Sequence, residues 1–268
     1  MGAFITAMAI SHPFPNLNLY EKILTPQASI CLEWLPRRES VLEIGCSAGY
    51  FTNKLRQKAG RAFGVDINKE LVNLAQQIYP AVKFMSHEPN ILPFPEESFD
   101  TVVALEVIEH TDNEKEFIDE VYRVLAPGGL LILSTPHKGL FEWLDPFNLK
   151  QKTLRIMPTA LLRLAQKTQR INNTQFTDNL QYHKHYSLEE LKQILGERFR
   201  IIRVSRSGLL LFPICSALLS IVTRLTGALW PKLLLQSLMK IEGRIPFGRF
   251  SYNITLMAVK VPSPDRAR

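Results

Sequence analysis

Two acids and two glycines stand out as residues that could do chemistry together. They are Glu43, Gly45 and Gly49 in the run from Val41 to Tyr50, and Asp66 at the end of Gly64-Val65-Asp66. The order is an apolar strand, a glycine turn, a helix start and a second strand closed by a carboxylate. In a βαβ unit such a turn brings a ligand against backbone N–H groups, and the second carboxylate accepts both hydroxyls of a ribose. Gly45 and Asp66 are 21 positions apart, close to the roughly 20 expected for a ribose-binding acid. The glycine pattern narrows the nucleoside. A dinucleotide fold wants G-x-G-x-x-G so that a pyrophosphate can approach; here the spacing is Gly45-x-x-x-Gly49, with Glu43 two residues upstream. A carboxylate there repels a pyrophosphate and suits a cationic ligand.

The run from Glu43 to Gly49 resembles motif I of the class I S-adenosylmethionine-dependent methyltransferases. Asp66 falls where that family's ribose-binding acid ends strand two. The run from Leu92 to Asp100 is similar to the family's entry into strand four, Val103 to His110 to the end of that strand, and Leu125 to Leu130 to the turn into strand five. The likeness covers about residues 40 to 137 and is strongest to the branch with ubiquinone- and menaquinone-biosynthesis methyltransferases. It implies S-adenosyl-L-methionine as cofactor. Gly45 and Gly49 would permit the turn around Cys46, Glu43 would face the methionine portion, Asp66 the ribose, Ile67 the adenine, and Glu106 would shape the pocket. There are two departures. Ser47 stands where a glycine is usual, which implies a less close backbone approach, and Glu88 stands where an aspartate usually meets the adenine amino group.

Methyl transfer from a sulfonium needs mainly a nucleophile held in line at about 3 to 3.5 Å with water excluded. For an oxygen nucleophile a general base helps, and histidine titrates in the right range. His110 follows strand four and His137 follows strand five, so both are expected at the substrate rim; either could instead only brace its loop. His183 and His185 lie further along. No cysteine cluster completes a metal set with them, so no metal is expected.

The elements that must position these residues follow from apolar spacing. A lead-in helix is expected over about 20–35, then strands near 41–45, 62–66, 82–85, 101–105 and 130–134. A helix from Asn113 to Leu125 carries Phe117, Val121 and Val124 on one stripe, and Pro127-Gly128-Gly129 is expected to make a tight turn after it. Ser187 and Glu190 form a capping box opening a later helix. Two final strands, about 200–204 and 252–259, form an antiparallel pair in the resembled family. The expected fold is α/β: a doubly wound, mostly parallel, seven-stranded Rossmann-like sheet with helical insertions after strand five and between the last two strands. The chain is read as a single methyltransferase domain, 1–268, with insertions 136–186, covering the substrate side, and 207–247.

Composition adds partners. The protein has 268 residues, a net charge of +7 and three cysteines, Cys31, Cys46 and Cys215, with no CxxC spacing. That favours neither a disulfide framework nor a zinc site, and a reducing, cytoplasmic compartment is the default. Charge is divided: residues 1–137 hold 11 Lys+Arg against 17 Asp+Glu, and the remainder 21 against 8. The basic part invites an anionic partner or is simply a solvated surface. Ser207 to Thr223 is an uncharged run of 17 residues containing Pro213, short of the ~20 needed to span a bilayer. Amphipathic spacing in 214–229 leaves three readings open: a helical cap on the sheet, an interfacial pair on an anionic membrane, or a dimer contact.

Nucleic acid is disfavoured as substrate, because the polar-Pro-Pro-aromatic motif of base-directed enzymes is absent after strand four. The expectation is therefore an enzyme that moves a methyl group from S-adenosyl-L-methionine to a small, hydrophobic or lipid-linked acceptor. The alternative is a noncatalytic lipid-surface protein with a degenerate fold of the same kind. Oligomeric state and acceptor identity are left open by the residues.

Overall fold

Seven strands form one sheet in the order β3-β2-β1-β4-β5-β7-β6 in a computed structural model that describes residues 24–139, 184–208, 241–242 and 245–262. The strands are β1 (Ser40–Ile44), β2 (Arg61–Asp66), β3 (Lys83–Ser86), β4 (Phe99–Leu105), β5 (Leu125–Pro136), β6 (Phe199–Ser207) and β7 (Asn253–Lys260). The first five run parallel; β7 is antiparallel to both β5 and β6. The helices are α1 (Pro26–Trp34), α2 (Tyr50–Arg56), α3 (Lys69–Ile78), α4 (Glu114–Val124) and α5 (Leu188–Leu195). This is the expected doubly wound arrangement, with β1 and β4 adjacent at the point where strand order reverses, the usual ligand crevice of open α/β sheets.

Both faces of the sheet are apolar because parallel strands must be covered on two sides. On one face Val41, Val103, Ile132 and Met257 pack with Cys31 and Leu35 of α1 and its exit and with Leu55 of α2. On the other, Leu42, Val102, Ala104, Leu131, Leu133 and Leu256 pack with Phe117, Ile118, Val121 and Val124 of α4 and Leu191 and Leu195 of α5. Helix starts are capped as their sequences require. Asn68 accepts from the amides of Glu70 and Leu71, and Asn113 from those of Lys115 and Glu116. Ser187 and Glu190 close the capping box in both directions.

Element edges differ from the sequence reading in two places. The lead-in helix begins at Pro26 after the N-cap Thr25, whose hydroxyl accepts from the Ala28 amide, and the part expected before residue 24 lies outside the described residues. The anticipated tight turn at Pro127-Gly128-Gly129 is absorbed into β5, which begins at Leu125 directly after α4. Register against β4 shifts there, from Phe99 opposite Leu125 to Thr101 opposite Leu130, so the Pro-Gly-Gly residues form a bulge with Gly128 at φ 71°. Most of the two expected insertions, 140–183 and 209–240, lies outside the described residues, and so do His183 and Cys215.

Candidate cofactor socket and acceptor rim

The turn after β1 is tied to the strand beside it. The amides of Gly45 and Cys46 both donate to the Val65 carbonyl, at 2.8 and 3.0 Å. Gly45 and Gly49 take φ of 78° and 82°, the left-handed region that a side chain disfavours. Space forbids a substituent as well: a Cβ on Gly45 would lie 2.7 Å from Val107, and one on Gly49 2.5 Å from Phe84.

Ser47 adopts the same left-handed backbone, with φ 48°. Its amide donates to Asp66 Oδ2 at 2.8 Å, so the departure from glycine leaves the loop in the glycine-like conformation, pinned by the acid that ends β2. Asp66 Oδ1 accepts from the Asn68 amide at 2.9 Å. These two bonds fix the carboxylate while leaving each oxygen a second lone pair, the capacity a pair of ribose hydroxyls requires. Ile67 is 62% exposed beside it, an apolar surface open to a planar ring. Glu88, just past β3, is also exposed.

Glu43 is buried on β1. Its Oε2 accepts from the Thr52 hydroxyl at 2.5 Å. Burial pushes its pKa up to about 8, the Thr52 bond works against that shift, and Asp66 adds to it. The cluster thus carries acidic groups beneath the loop, a setting that favours a cation above it. The fit to S-adenosylmethionine is good on these grounds: a ribose-ready carboxylate, an open apolar surface, and buried acidity matched to a sulfonium and ammonium. Cys46 is buried, with its thiol pKa raised chiefly by burial and then by Glu43 and Asp66, so it serves as a packing residue in the turn.

Beyond β4, Glu106 is held at φ 56°. Its carboxylate accepts from the Ser134 hydroxyl at 2.6 Å, and its amide donates to the Ser134 carbonyl at 3.0 Å. This couples the ends of β4 and β5. His110 is exposed at the end of a short 3-10 turn, Ile108–His110. His137 is buried, and its Nδ1 lies 3.2 Å from both the carbonyl oxygen and the hydroxyl of Ser251. Its pKa is lowered chiefly by burial; the Ser251 carbonyl works the other way, and Arg206 and His185 add to the lowering. Tyr186 pairs with His137 in a short bridge and donates to Glu114 Oε1 at 2.8 Å, and Lys184 donates to the same oxygen at 2.8 Å. Thus Glu43, Gly45, Cys46, Gly49, Asp66 and Ile67 form one contiguous group, while Glu106, His110 and His137 lie on the neighbouring rim. Thr52 and Ser134, which hold the two acids, carry no motif of their own; only their place on adjoining elements identifies them. Among the described residues no group of three or more His, Cys, Asp or Glu could hold a metal ion, and no helix is long and apolar enough to cross a membrane.

Comparison with known proteins agrees with this geometry. Residues 42–133 match the family model described as "Methyltransferase domain". A protein of Mycolicibacterium smegmatis named a "Probable S-adenosylmethionine-dependent methyltransferase" is 35% identical over 116 residues, 41% of this chain and 45% of its own length. The mitochondrial ubiquinone biosynthesis O-methyltransferase of Dictyostelium discoideum is 30% identical over 161 residues, 54% of this chain and 49% of its own. The chain spans less than half the length of either relative. The crystal structure of a SAM-dependent methyltransferase from Methanosarcina mazei superposes with a TM-score of 0.54 at 20% identity, covering 90% of this chain and all of that one, a likeness of fold. The motifs, the strand order and the domain match agree: the chain carries a domain, over residues 42–133, of the class I S-adenosylmethionine-dependent methyltransferase family.

Proposed function

We propose that this protein transfers the methyl group of S-adenosyl-L-methionine to a small, hydrophobic or lipid-linked acceptor. The observation that carries the reading is the Asp66 carboxylate, fixed by the Ser47 and Asn68 amides beside the buried Glu43. In this reading Asp66 binds the ribose hydroxyls, Ile67 and Glu88 flank the adenine, and Glu43 with the Gly45–Gly49 turn receives the cationic end. The cofactor itself supplies an activated methyl, so the chain has mainly to orient the acceptor and exclude water.

His137 is the favoured base. With Nδ1–H donating to the Ser251 carbonyl, the neutral ring keeps its Nε2 lone pair for a proton. His110 is the second candidate, placed on the turn after β4. A hydrophobic acceptor is supported by the relative named for ubiquinone biosynthesis. The proposal extends to a cytoplasmic protein in peripheral contact with an anionic membrane. Its support is the edge strand β6, where exposed Arg200 and Arg203 alternate with Ile202 and Val204, 46% and 40% exposed.

Calorimetric titration with S-adenosylmethionine, S-adenosylhomocysteine and NAD tests the central reading. Binding of the first two in the micromolar range and no binding of NAD is expected. Asp66→Ala should weaken both adenosyl ligands by about 1 to 3 kcal/mol, the value of a charge-assisted acceptor; unchanged affinity would refute the ribose assignment.

A further inference from the structure

One face of the sheet changes character abruptly at the cofactor end. Successive side chains of a strand alternate between faces, so register identifies which residues share one. On the α1 side, β5 and β7 place Leu130 opposite Val259 and Ile132 opposite Met257, an apolar core. The next row on that face is Ser134, Thr255 and Ser205, and the row after it Pro136, Asn253 and Ser207. Ser134 and Thr255 are fully buried, with Ser207 at 2% and Asn253 at 5% exposure. Sheet interiors bury hydroxyls only where they are paired. Here Thr255 Oγ1 and Asn253 Oδ1 are buried and form no hydrogen bond. Ser134, opposite Thr255, donates to Glu106 at the rim of the cofactor socket.

We infer that these two rows are the acceptor's head-group site: Thr255 and Asn253 hydrogen-bond an uncharged hydroxyl-bearing group of the molecule to be methylated. This rests on the methyltransferase reading and adds the chemistry of the acceptor to it. Two buried polar atoms without partners are costly, and a ligand that satisfies them recovers that cost only when it binds. Charge selects the head group. The rows themselves carry no basic residue; Arg203 and Arg200 lie on the same face further from the rim, opposite Met257 and Val259, Arg206 falls on the opposite face beside Ile254, and the Glu106 carboxylate borders Ser134 directly. The bordering Glu106 carboxylate disfavours a carboxylate or phosphate against Ser134 and Thr255, whereas a phenolic or alcoholic hydroxyl can donate to Asn253 Oδ1 and accept from Thr255. Beneath the polar rows, Ile132 with Met257 and Leu130 with Val259 make the β5–β7 part of the same face hydrophobic, and Arg203 and Arg200 continue those apolar rows on β6.

The test uses 4-butylphenol, with 4-butylanisole as the match lacking a donor, titrated by NMR into protein saturated with S-adenosylhomocysteine. The phenol should bind about tenfold tighter, the value of one net hydrogen bond at such a site. Thr255→Val and Asn253→Leu should each bring the phenol down to the level of the anisole. Their affinity for S-adenosylhomocysteine should stay unchanged, and their thermal midpoints should lie at or above that of the unaltered chain, since an apolar isostere removes an unmet polar group. Equal binding of the two probes, unchanged phenol binding in both variants, or lowered midpoints in both would overturn the assignment and mark the rows as structural. Failure of the unaltered chain to bind S-adenosylhomocysteine would overturn the methyltransferase reading and the head-group site with it.

Discussion

Glu43 makes the socket sensitive to pH, and the direction follows from its burial. A carboxyl whose pKa rises from 4.5 to about 8 on folding keeps a proton that the unfolded chain has already released. Its stabilising contribution is complete below the ordinary carboxyl range and is lost as pH rises toward about 8. Unfolding in urea at pH 5, 6.5 and 8 should therefore show stability falling by a few kcal/mol, and Glu43→Gln should flatten that slope. A cation bound above the loop reverses the preference, because it stabilises the carboxylate. S-adenosylmethionine should bind more tightly at pH 8 than at pH 6 and release a proton, seen by calorimetry in buffers of different ionisation enthalpy. The glycine and acid positions of this socket were legible from spacing alone. Its supports were not: Ser47 reads as a departure from glycine, yet it holds the left-handed turn by donating to Asp66, and Thr52 is one ordinary hydroxyl of a helix until β1 lies beside it.

At the level of elements, local chemistry set the helix starts and tertiary contact set the strand ends. The capping box at Ser187 and Glu190 is an example of the first. The Ser187 amide, then Lys138, hold the Glu190 pKa down to about 2. A lowered acid contributes stability above the ordinary carboxyl range and loses it as pH falls toward about 2. Ser187→Ala should cost about 1 kcal/mol at pH 7, and less at pH 3, measured by urea unfolding. Pro127-Gly128-Gly129 is an example of the second. Its residues have the composition of a turn and pair with neither neighbour, but Leu125 before them pairs with Phe99 and Leu130 after them with Thr101 and Val259, so they are kept within one long strand as a bulge. A turn signal reports local preference, and the strands on either side decide whether the chain turns.

For the whole molecule, the division of charge becomes a division of roles. The acidic first half supplies the socket, and the basic second half supplies β6, whose exposed Arg200 and Arg203 face outward at the sheet edge. If that edge meets a membrane, sedimentation with vesicles containing phosphatidylserine should fall steeply between about 0.05 and 0.5 M salt, since screening shortens the reach of surface charge. Arg200→Glu with Arg203→Glu should abolish sedimentation and leave S-adenosylhomocysteine binding intact. Retained sedimentation in that double variant would remove β6 from the contact.

The position of β7 also orders the molecule in time. It is the last strand among the described residues, yet it lies between β5 and β6 and pairs with both. During synthesis, β1 to β5 can assemble a cofactor socket while β5 still has an open edge. Only when Asn253 to Lys260 slot into place does the sheet close, as Lys260 reaches the Leu125 carbonyl and Tyr122 reaches that of Val261. On the proposed reading, chains lacking this strand would hold the methyl donor before Thr255 and Asn253 are in place to receive an acceptor, and would expose a sticky edge to chaperones and proteases. If Thr255 and Asn253 hold the acceptor as proposed, insertion of β7 thus acts as a completeness check, admitting an acceptor only to a sheet that already holds this strand.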